Sequence, residues 1–241
     1  MGKKNSRQAQ KQAAVKRNRI ILIVILSVVA ALLIGALVFT MLQKDGGNET
    51  TDTKISYAKM SVSFTDKDGV ARTGDIVIEL RPDCAPLTVA NFKKLVSEGF
   101  YDGTDFFRII EGFMIQGGEN ASKEAEVIKG EFALNGIDNP LKHERGVISM
   151  ARRGDNYDGS ALTYSDGIVS YNSASSGFFI MHETTASLDG QYAAFGRVVS
   201  GMEYVDLIAE TNLVYSEKYG DTVQPAEPAT ITRVVLMDTL D

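Results

Sequence analysis

The sequence predicts a mainly β domain, an antiparallel barrel or sandwich, preceded by one transmembrane helix. Eight short runs rich in β-branched and aromatic residues alternate with turns containing Gly, Asp and Asn, and few stretches show helical periodicity. Residues 20–42 form an uncharged and strongly apolar run. A long apolar run of this kind is typical of a membrane span, whereas regularly spaced short strands are typical of barrels and sandwiches.

The N-terminal region predicts a membrane anchor. Residues 1–19 contain seven basic side chains and no acidic one, and the 23 residues of the following run, 20–42, would span about 34 Å as a helix. A bilayer core is about 30 Å thick, so this run is long enough to cross it. Basic flanks remain in the cytoplasm by the positive-inside rule, which places the rest of the chain on the outer face of the membrane.

The apolar run 20–42 has two other interpretations, a cleaved signal peptide and a lipoprotein signal. A cleaved signal peptide has a shorter apolar core followed by a small-x-small site, and residues 38–42 supply no good site, so an uncleaved anchor is favoured. A lipoprotein is excluded because no Cys lies near the end of the run. The single cysteine, Cys84, cannot form an intrachain disulfide and is expected to serve packing.

Composition limits the partners of the remaining chain. Beyond the basic N-terminus, 18 basic groups face 31 acidic groups, a formal charge of −13. An acidic domain argues against nucleic acid and against adhesion to anionic lipid head groups. Residues 43–56 are polar and without periodicity, which predicts a tether between the anchor and a domain over residues 57–241.

The strand and helix signals of this domain follow in order along the chain. Two helices are predicted, Pro86 to Glu98, with Pro in the first turn and Gly99 as its stop, and Met202 to Ala209. The strand candidates are Lys59 to Phe64, Gly74 to Leu80, Phe106 to Ile110, Phe113 to Gly117, Gly146 to Met150, Phe178 to Met181, Ala194 to Val198 and Ala229 to Met237.

The segment 106–118, FFRIIEGFMIQGG, carries the chemistry. It sets Arg108 among large apolar side chains and follows it with Gln116 and a Gly-Gly turn. A lone arginine of this kind could instead pack its aliphatic part along a strand and keep its guanidinium in water. The order of residues favours a functional role, because a guanidinium with five donors placed beside Phe and Met usually holds an acceptor.

This segment closely resembles the signature of the cyclophilin family of peptidyl-prolyl cis-trans isomerases. Three further blocks resemble the family in its own order: HERGVISMARR from residue 143, SSGFFIMHE from residue 175 and SLDGQYAAFGRV from residue 187. One short motif can match a family by chance, but four blocks in the same order over about 100 residues make a chance match negligible. The resemblance implies a closed eight-stranded antiparallel barrel capped by two helices, with the active site on its outside.

The resemblance also implies the site residues. Arg108 matches the catalytic arginine, and Gln116 matches the polar residue that orients substrate and Arg108. Ala151 and Arg152 match positions whose backbone groups pair with the bound peptide. Phe113, Met114, Phe179 and Leu188 match the family's proline pocket. The substrate-binding positions expected overall are Phe113, Met114, Gln116, Ala151, Arg152, Gly177, Phe179, Leu188 and Tyr192. Taken singly, the apolar members would more often be core residues.

The chain departs from the family at several positions. Gly177 stands where Gln is usual, Arg152 where Asn is common, Tyr192 where His is common and Ser187 where many eukaryotic members have Trp. The segment 153–175 is longer than the family's usual connection. Gly177 removes a side-chain contact to the peptide, whereas Tyr192 keeps an aromatic wall with a hydrogen-bonding tip.

Two functions are therefore compared. The first is a membrane-anchored bacterial prolyl isomerase that assists exported proteins at the outer face of the membrane; the second is a proline-binding chaperone module with little turnover. Arg108 favours the enzyme. Isomerisation needs no base, so His143 and His182 are given no catalytic role, and no cofactor or metal is implied. The expected partners are proline-containing unfolded or exported polypeptides, and the domain is expected to be a monomer.

Overall fold

Eight of the strands in the computed structural model close into an antiparallel barrel. The structure describes residues 54–156 and 159–240, and all statements below concern these residues. The barrel order is β1, β10, β3, β4, β6, β5, β7, β2. The barrel strands are β1 (Ser56–Thr65), β2 (Ala71–Leu80), β3 (Thr104–Ile110), β4 (Met114–Gly117), β5 (Val147–Met150), β6 (Phe178–Met181), β7 (Ala194–Ser200) and β10 (Thr230–Met237).

The barrel confirms the mainly β prediction and decides between barrel and sandwich. Each of the eight predicted strands corresponds to one barrel strand, with ends that differ by at most three residues. In β1, alternate residues are buried along the whole strand, which is the period of two expected for a strand with one face on a core. Met60, Val62 and Phe64 lie on that inner face.

Two helices pack against the barrel, as predicted. Helix α1 (Pro86–Ser97) buries Phe92, whose ring lies 5.2 Å from that of Phe195 on β7. Helix α2 is Met202–Ala209 and buries Val205 and Ile208 in the same core. The barrel interior is filled by side chains, so a functional site is expected on its outer surface.

The start of α1 is stabilised from a distant part of the chain. Glu131 is 2% exposed, and its carboxylate accepts hydrogen bonds from the backbone N–H groups of Leu87 (3.0 Å) and Thr88 (2.8 Å). The Thr88 hydroxyl donates a third bond of 2.7 Å. A carboxylate that accepts hydrogen bonds from the first-turn N–H groups of a helix satisfies donors that have no partner within the helix.

A further hairpin lies outside the barrel and was not predicted from the sequence. Its strands are β8 (Leu213–Ser216) and β9 (Asp221–Pro225), which pair antiparallel. Gly220, at φ +66°, lies in the turn, where the left-handed backbone region favours glycine. This turn lies beside β3, close to Arg108.

The predicted membrane anchor, residues 20–42, and the tether residues 43–53 lie outside the described residues. Among the residues that are described, no helix is long and apolar enough to cross a membrane.

Candidate active site

An apolar cluster lies on the outer surface of the barrel, separate from the interior core. Strand alternation produces it: on β6, Phe178 and Ile180 belong to the interior core, whereas Phe179 and Met181 face the other way. The buried members of this outer cluster are Met114, Val147, Phe179, Met181 and Ala194, and the partly buried ones are Ile110, Phe113, Leu141, Ala151, Leu188 and Tyr192. All four residues expected to hold the proline ring, Phe113, Met114, Phe179 and Leu188, are therefore together.

Arg108 lies next to this cluster on β3. It pairs in register with Gln116 on β4, and its Nη1 donates a 3.2 Å hydrogen bond to Gln116 Oε1. Gln116 in turn pairs with Phe179 on β6, which links the guanidinium to the apolar wall. The expected contact between Arg108 and Gln116 is present, and the guanidinium is only partly buried.

A β-bulge sets the direction of Arg108. The register between β3 and β4 shifts between Phe106 and Arg108, so Phe107 is an extra residue. Phe106 is fully buried in the interior, but Phe107 and Arg108 are both partly exposed although they are consecutive. Bulges commonly redirect side chains beside active sites. Sequence reasoning missed this feature because a bulge leaves no reliable signature in a single sequence.

Phe179 is held in place by a buried polar chain behind it. His143 stacks on Phe179 with ring centroids 6.1 Å apart and an interplanar angle of 18°. His143 Nδ1 lies 3.0 Å from Asp189 Oδ1, and Nε2 lies 3.1 Å from Ser149 Oγ. Tyr192 completes the wall, with its ring edge-on to Phe179 at 5.5 Å.

The protonation of His143 follows from its surroundings. Burial lowers the pKa of His143, and the hydrogen bond to Asp189 only partly opposes this. A neutral ring then donates through Nδ1 to Asp189 and accepts at Nε2 from Ser149. The trio has the order of a hydrolytic triad, but Ser149 is 0% exposed and cannot reach a substrate.

His182 fixes the turn that carries Phe113. Its Nδ1 accepts a 2.9 Å hydrogen bond from the N–H of Gly112, and its backbone N–H donates to the carbonyl of Phe113 at 2.9 Å. The Nε2 of His182 lies 3.4 Å from Asp206 Oδ1 on α2. His182 thus has a structural part in shaping the pocket, which sequence reasoning did not find.

The rim of the cluster also contains Ala151, which packs against the cluster, and Gly177 beside it. The N–H of Ala151 donates a 2.9 Å hydrogen bond to the carbonyl of Gly177, which brings two of the expected peptide-contact positions together. A Cβ added to Gly177 would meet the Cβ of Ala151 at 3.6 Å, an ordinary contact, so the position has room for a side chain.

The side chain of Arg152 is buried against Tyr192 at the edge of the cluster. It is 2% exposed, forms hydrogen bonds of 2.6 and 2.7 Å to the two carboxylate oxygens of Asp155, and its guanidinium carbon lies 4.7 Å from the Tyr192 ring centroid. Asp155 also accepts a 2.6 Å bond from Ser170, so this network ties the long segment 153–175 to the rim. The Arg152 side chain is therefore not available to a peptide, and the expected pairing of its backbone with a peptide stays a prediction.

The described residues contain no group of three or more His, Cys, Asp and Glu side chains that could hold a metal ion. Cys84 is a buried free thiol whose pKa is raised by burial, in agreement with a packing role.

Comparison with known proteins identifies the family. A family model described as cyclophilin type peptidyl-prolyl cis-trans isomerase matches residues 62–236. Peptidyl-prolyl cis-trans isomerase B of Bacillus subtilis is 41% identical over 133 residues, covering 54% of this chain and 79% of that protein. Peptidyl-prolyl cis-trans isomerase A of Dickeya dadantii is 37% identical over 163 residues, covering 66% and 77%.

A solved structure agrees with these relatives. The crystal structure of a cyclophilin type peptidyl-prolyl cis-trans isomerase of Cryptosporidium parvum superposes with a TM-score of 0.53 at 25% identity, covering 76% of this chain and 99% of the other. The sequence blocks, the closed barrel and its outer pocket, and these matches lead to one conclusion. The chain belongs to the cyclophilin family and is a peptidyl-prolyl cis-trans isomerase.

Proposed function

We propose that the outer pocket binds the proline ring of a polypeptide and that Arg108 stabilises the twisted Xaa-Pro bond. The observation that carries this proposal is the position of one guanidinium beside an apolar pocket, with Gln116 as its hydrogen-bond partner. Rotation of a peptide bond has a barrier of about 18–20 kcal/mol. Catalysis requires only that the twisted form is bound more tightly than either planar form.

A donor aimed at the prolyl nitrogen has this effect. Twisting the amide removes its resonance and leaves a lone pair on the nitrogen, which accepts a hydrogen bond that a planar amide does not. Phe113, Met114, Phe179 and Leu188 would hold the ring while the rest of the bond rotates. Their apolar surroundings strengthen each hydrogen bond that remains in the site.

The replacement Arg108→Ala tests this mechanism. We expect kcat/KM for a short Xaa-Pro peptide to fall at least about tenfold, which corresponds to about 1.4 kcal/mol of lost transition-state stabilisation. The melting temperature should change little because the guanidinium is only partly buried. Arg197→Ala is a matched control, since the Arg197 side chain is 56% exposed and pairs with Glu79 on the barrel. A folded Arg108→Ala protein with unchanged turnover would contradict the mechanism.

We further propose that the enzyme is a membrane-anchored bacterial form that assists exported proteins at the outer face of the membrane. The proposal is supported by the basic residues 1–19 followed by the apolar run 20–42. Protease added to intact protoplasts should remove the isomerase domain and spare the basic N-terminal peptide. Complete protection of the domain would contradict this topology.

A further inference from the structure

The turn between β8 and β9 contacts Arg108 through Tyr219. The guanidinium carbon of Arg108 lies 5.6 Å from the centroid of the Tyr219 ring, within the range of a cation–π contact. Arg108 is therefore held by two partners from different elements, the Gln116 carboxamide on β4 and the aromatic face of Tyr219 on the turn.

The Tyr219 ring is itself fixed by its neighbours. It stacks on Phe107 with an interplanar angle of 11° and a centroid distance of 6.4 Å. The ammonium of Lys218 lies 5.1 Å from both ring centroids and forms a 3.1 Å ion pair with Glu119. The bulge in β3 makes this arrangement possible, because it brings Phe107 and Arg108 to the same outer surface.

The turn backbone restricts Tyr219 further. The N–H groups of Tyr219 and Gly220 both donate to the carbonyl of Ser216, at 3.3 and 2.8 Å. An arginine side chain otherwise has many rotamers, and ordering them during the reaction would cost free energy. A ring in contact with the guanidinium restricts these rotamers without accepting a hydrogen bond from its N–H donors, which stay available to a substrate.

We propose that Tyr219 is a positioning residue for isomerisation, which holds the Arg108 guanidinium in the direction needed to reach the prolyl nitrogen. The inference rests on the role of Arg108 proposed above. It assigns a function in catalysis to the β8–β9 hairpin, which lies outside the barrel. Tyr219 acts through Arg108, and no proton transfer is assigned to its hydroxyl, because isomerisation needs none.

Three variants of Tyr219 in the full chain test the proposal. Tyr219→Ala removes the ring, and we expect kcat/KM to fall about three- to tenfold, the range of a partly exposed cation–π contact. The loss should appear in kcat more than in KM. Tyr219→Phe keeps the aromatic face and should retain at least half of the natural kcat/KM. Tyr219→Leu keeps apolar area without the ring and should lose as much kcat/KM as Tyr219→Ala.

The control variant lies in the same hairpin. Tyr215 is 62% exposed on β8, and Tyr215→Ala should leave kcat/KM unchanged. The Nε–H signal of Arg108 in NMR spectra supplies a readout apart from rate: it should broaden or shift in Tyr219→Ala but not in Tyr215→Ala. An unchanged Arg108 signal in Tyr219→Ala would overturn the positioning role.

A double-mutant cycle separates this inference from the mechanism on which it rests. In the Arg108→Ala background, Tyr219→Ala should cause no further loss. If Arg108→Ala alone has no effect, the role of Arg108 fails whatever Tyr219 does. If Arg108→Ala is inactive but Tyr219→Ala retains full activity, only the role of Tyr219 fails. Equal losses from Tyr219→Ala with and without Arg108 would likewise overturn it.

Discussion

Gly177→Gln is expected to raise kcat/KM for an Xaa-Pro peptide. The family usually carries Gln at this position, and the structure shows why the chain could accept it. A Cβ at Gly177 would meet only the Cβ of Ala151 at 3.6 Å and the carbonyl oxygen of Gly117 at 3.9 Å. The φ angle of Gly177 is outside the left-handed region, so a side chain adds no backbone strain.

The magnitude follows from one added hydrogen bond. A carboxamide on this rim would contact the peptide backbone, and a hydrogen bond of this kind contributes a net of about 0.5–1.5 kcal/mol. That corresponds to about a two- to tenfold increase in kcat/KM. We expect this rim to contact the peptide backbone equally in the ground state and the transition state, so the change should lower KM and leave kcat nearly unchanged.

The assay compares the natural chain, Gly177→Gln and Gly177→Ala with one Xaa-Pro peptide, using NMR exchange over a range of peptide concentrations. Gly177→Ala supplies the Cβ without the carboxamide and should match the natural chain in both KM and melting temperature. A loss of stability or activity in Gly177→Ala would refute the clearance argument. A Gln variant with unchanged KM would refute the assignment of Gly177 to the peptide-contact rim.

Two further predictions concern the start of α1 and inhibition. Glu131→Gln should lower the free energy of unfolding by about 2–4 kcal/mol, because it replaces a buried charged acceptor at the Leu87 and Thr88 amides. Urea denaturation measures this, and Glu126→Gln is the control because Glu126 is exposed. Ser187 is exposed beside the pocket, where tightly cyclosporin-binding relatives generally have Trp. Cyclosporin should therefore inhibit the natural enzyme only weakly. Ser187→Trp should bind cyclosporin at least about tenfold more tightly, because burial of the indole contributes roughly 1.5–3 kcal/mol. The same substitution should change kcat/KM less than it changes cyclosporin affinity. Unchanged inhibition would show that residue 187 does not contact the drug.

The barrel could be predicted because its strands carry local signals. Strand β6, with the run FFIM, begins directly after Gly177, and β10, rich in β-branched residues, ends directly before Asp238. The pocket could be predicted because the cyclophilin-like blocks order Arg108, Gln116 and Phe179 along the chain. Closure of the barrel then brings β4 and β6 together, although these strands are about 60 residues apart in the sequence.

Other parts of the site could not be predicted because they depend on contacts made only after closure. His143 and Asp189 are 46 residues apart, and nothing in either local sequence pairs them. Tyr219 reaches Arg108 only because a bulge in β3 and a hairpin outside the barrel meet. The hairpin itself was missed because β8 and β9 are four and five residues long and carry several charged or polar side chains.

The stability of the domain should depend on His143 at mildly acidic pH. Burial lowers the pKa of His143 below its usual value near 6.5, so the unfolded chain binds a proton more readily than the folded chain. Stability should therefore fall as the pH decreases below about 6.5. Burial by itself raises the pKa of Asp189, but the hydrogen bonds from His143 outweigh it and hold this pKa below its usual value. Protonation of the Asp189 carboxylate at still lower pH should therefore lower the stability further.

Turnover should behave differently from stability. The guanidinium of Arg108 stays charged across the accessible pH range, and rotation about a prolyl bond transfers no proton. His143 is neutral above its lowered pKa and lies behind Phe179, away from the pocket surface. We therefore expect kcat/KM to be constant from about pH 6.5 to 9, where the protein is fully folded, while the urea midpoint declines below that range. NMR exchange measurements and urea titrations at matched pH values would check both. A bell-shaped kcat/KM profile within the folded range would show that an acid or base takes part, and would contradict catalysis by Arg108 alone.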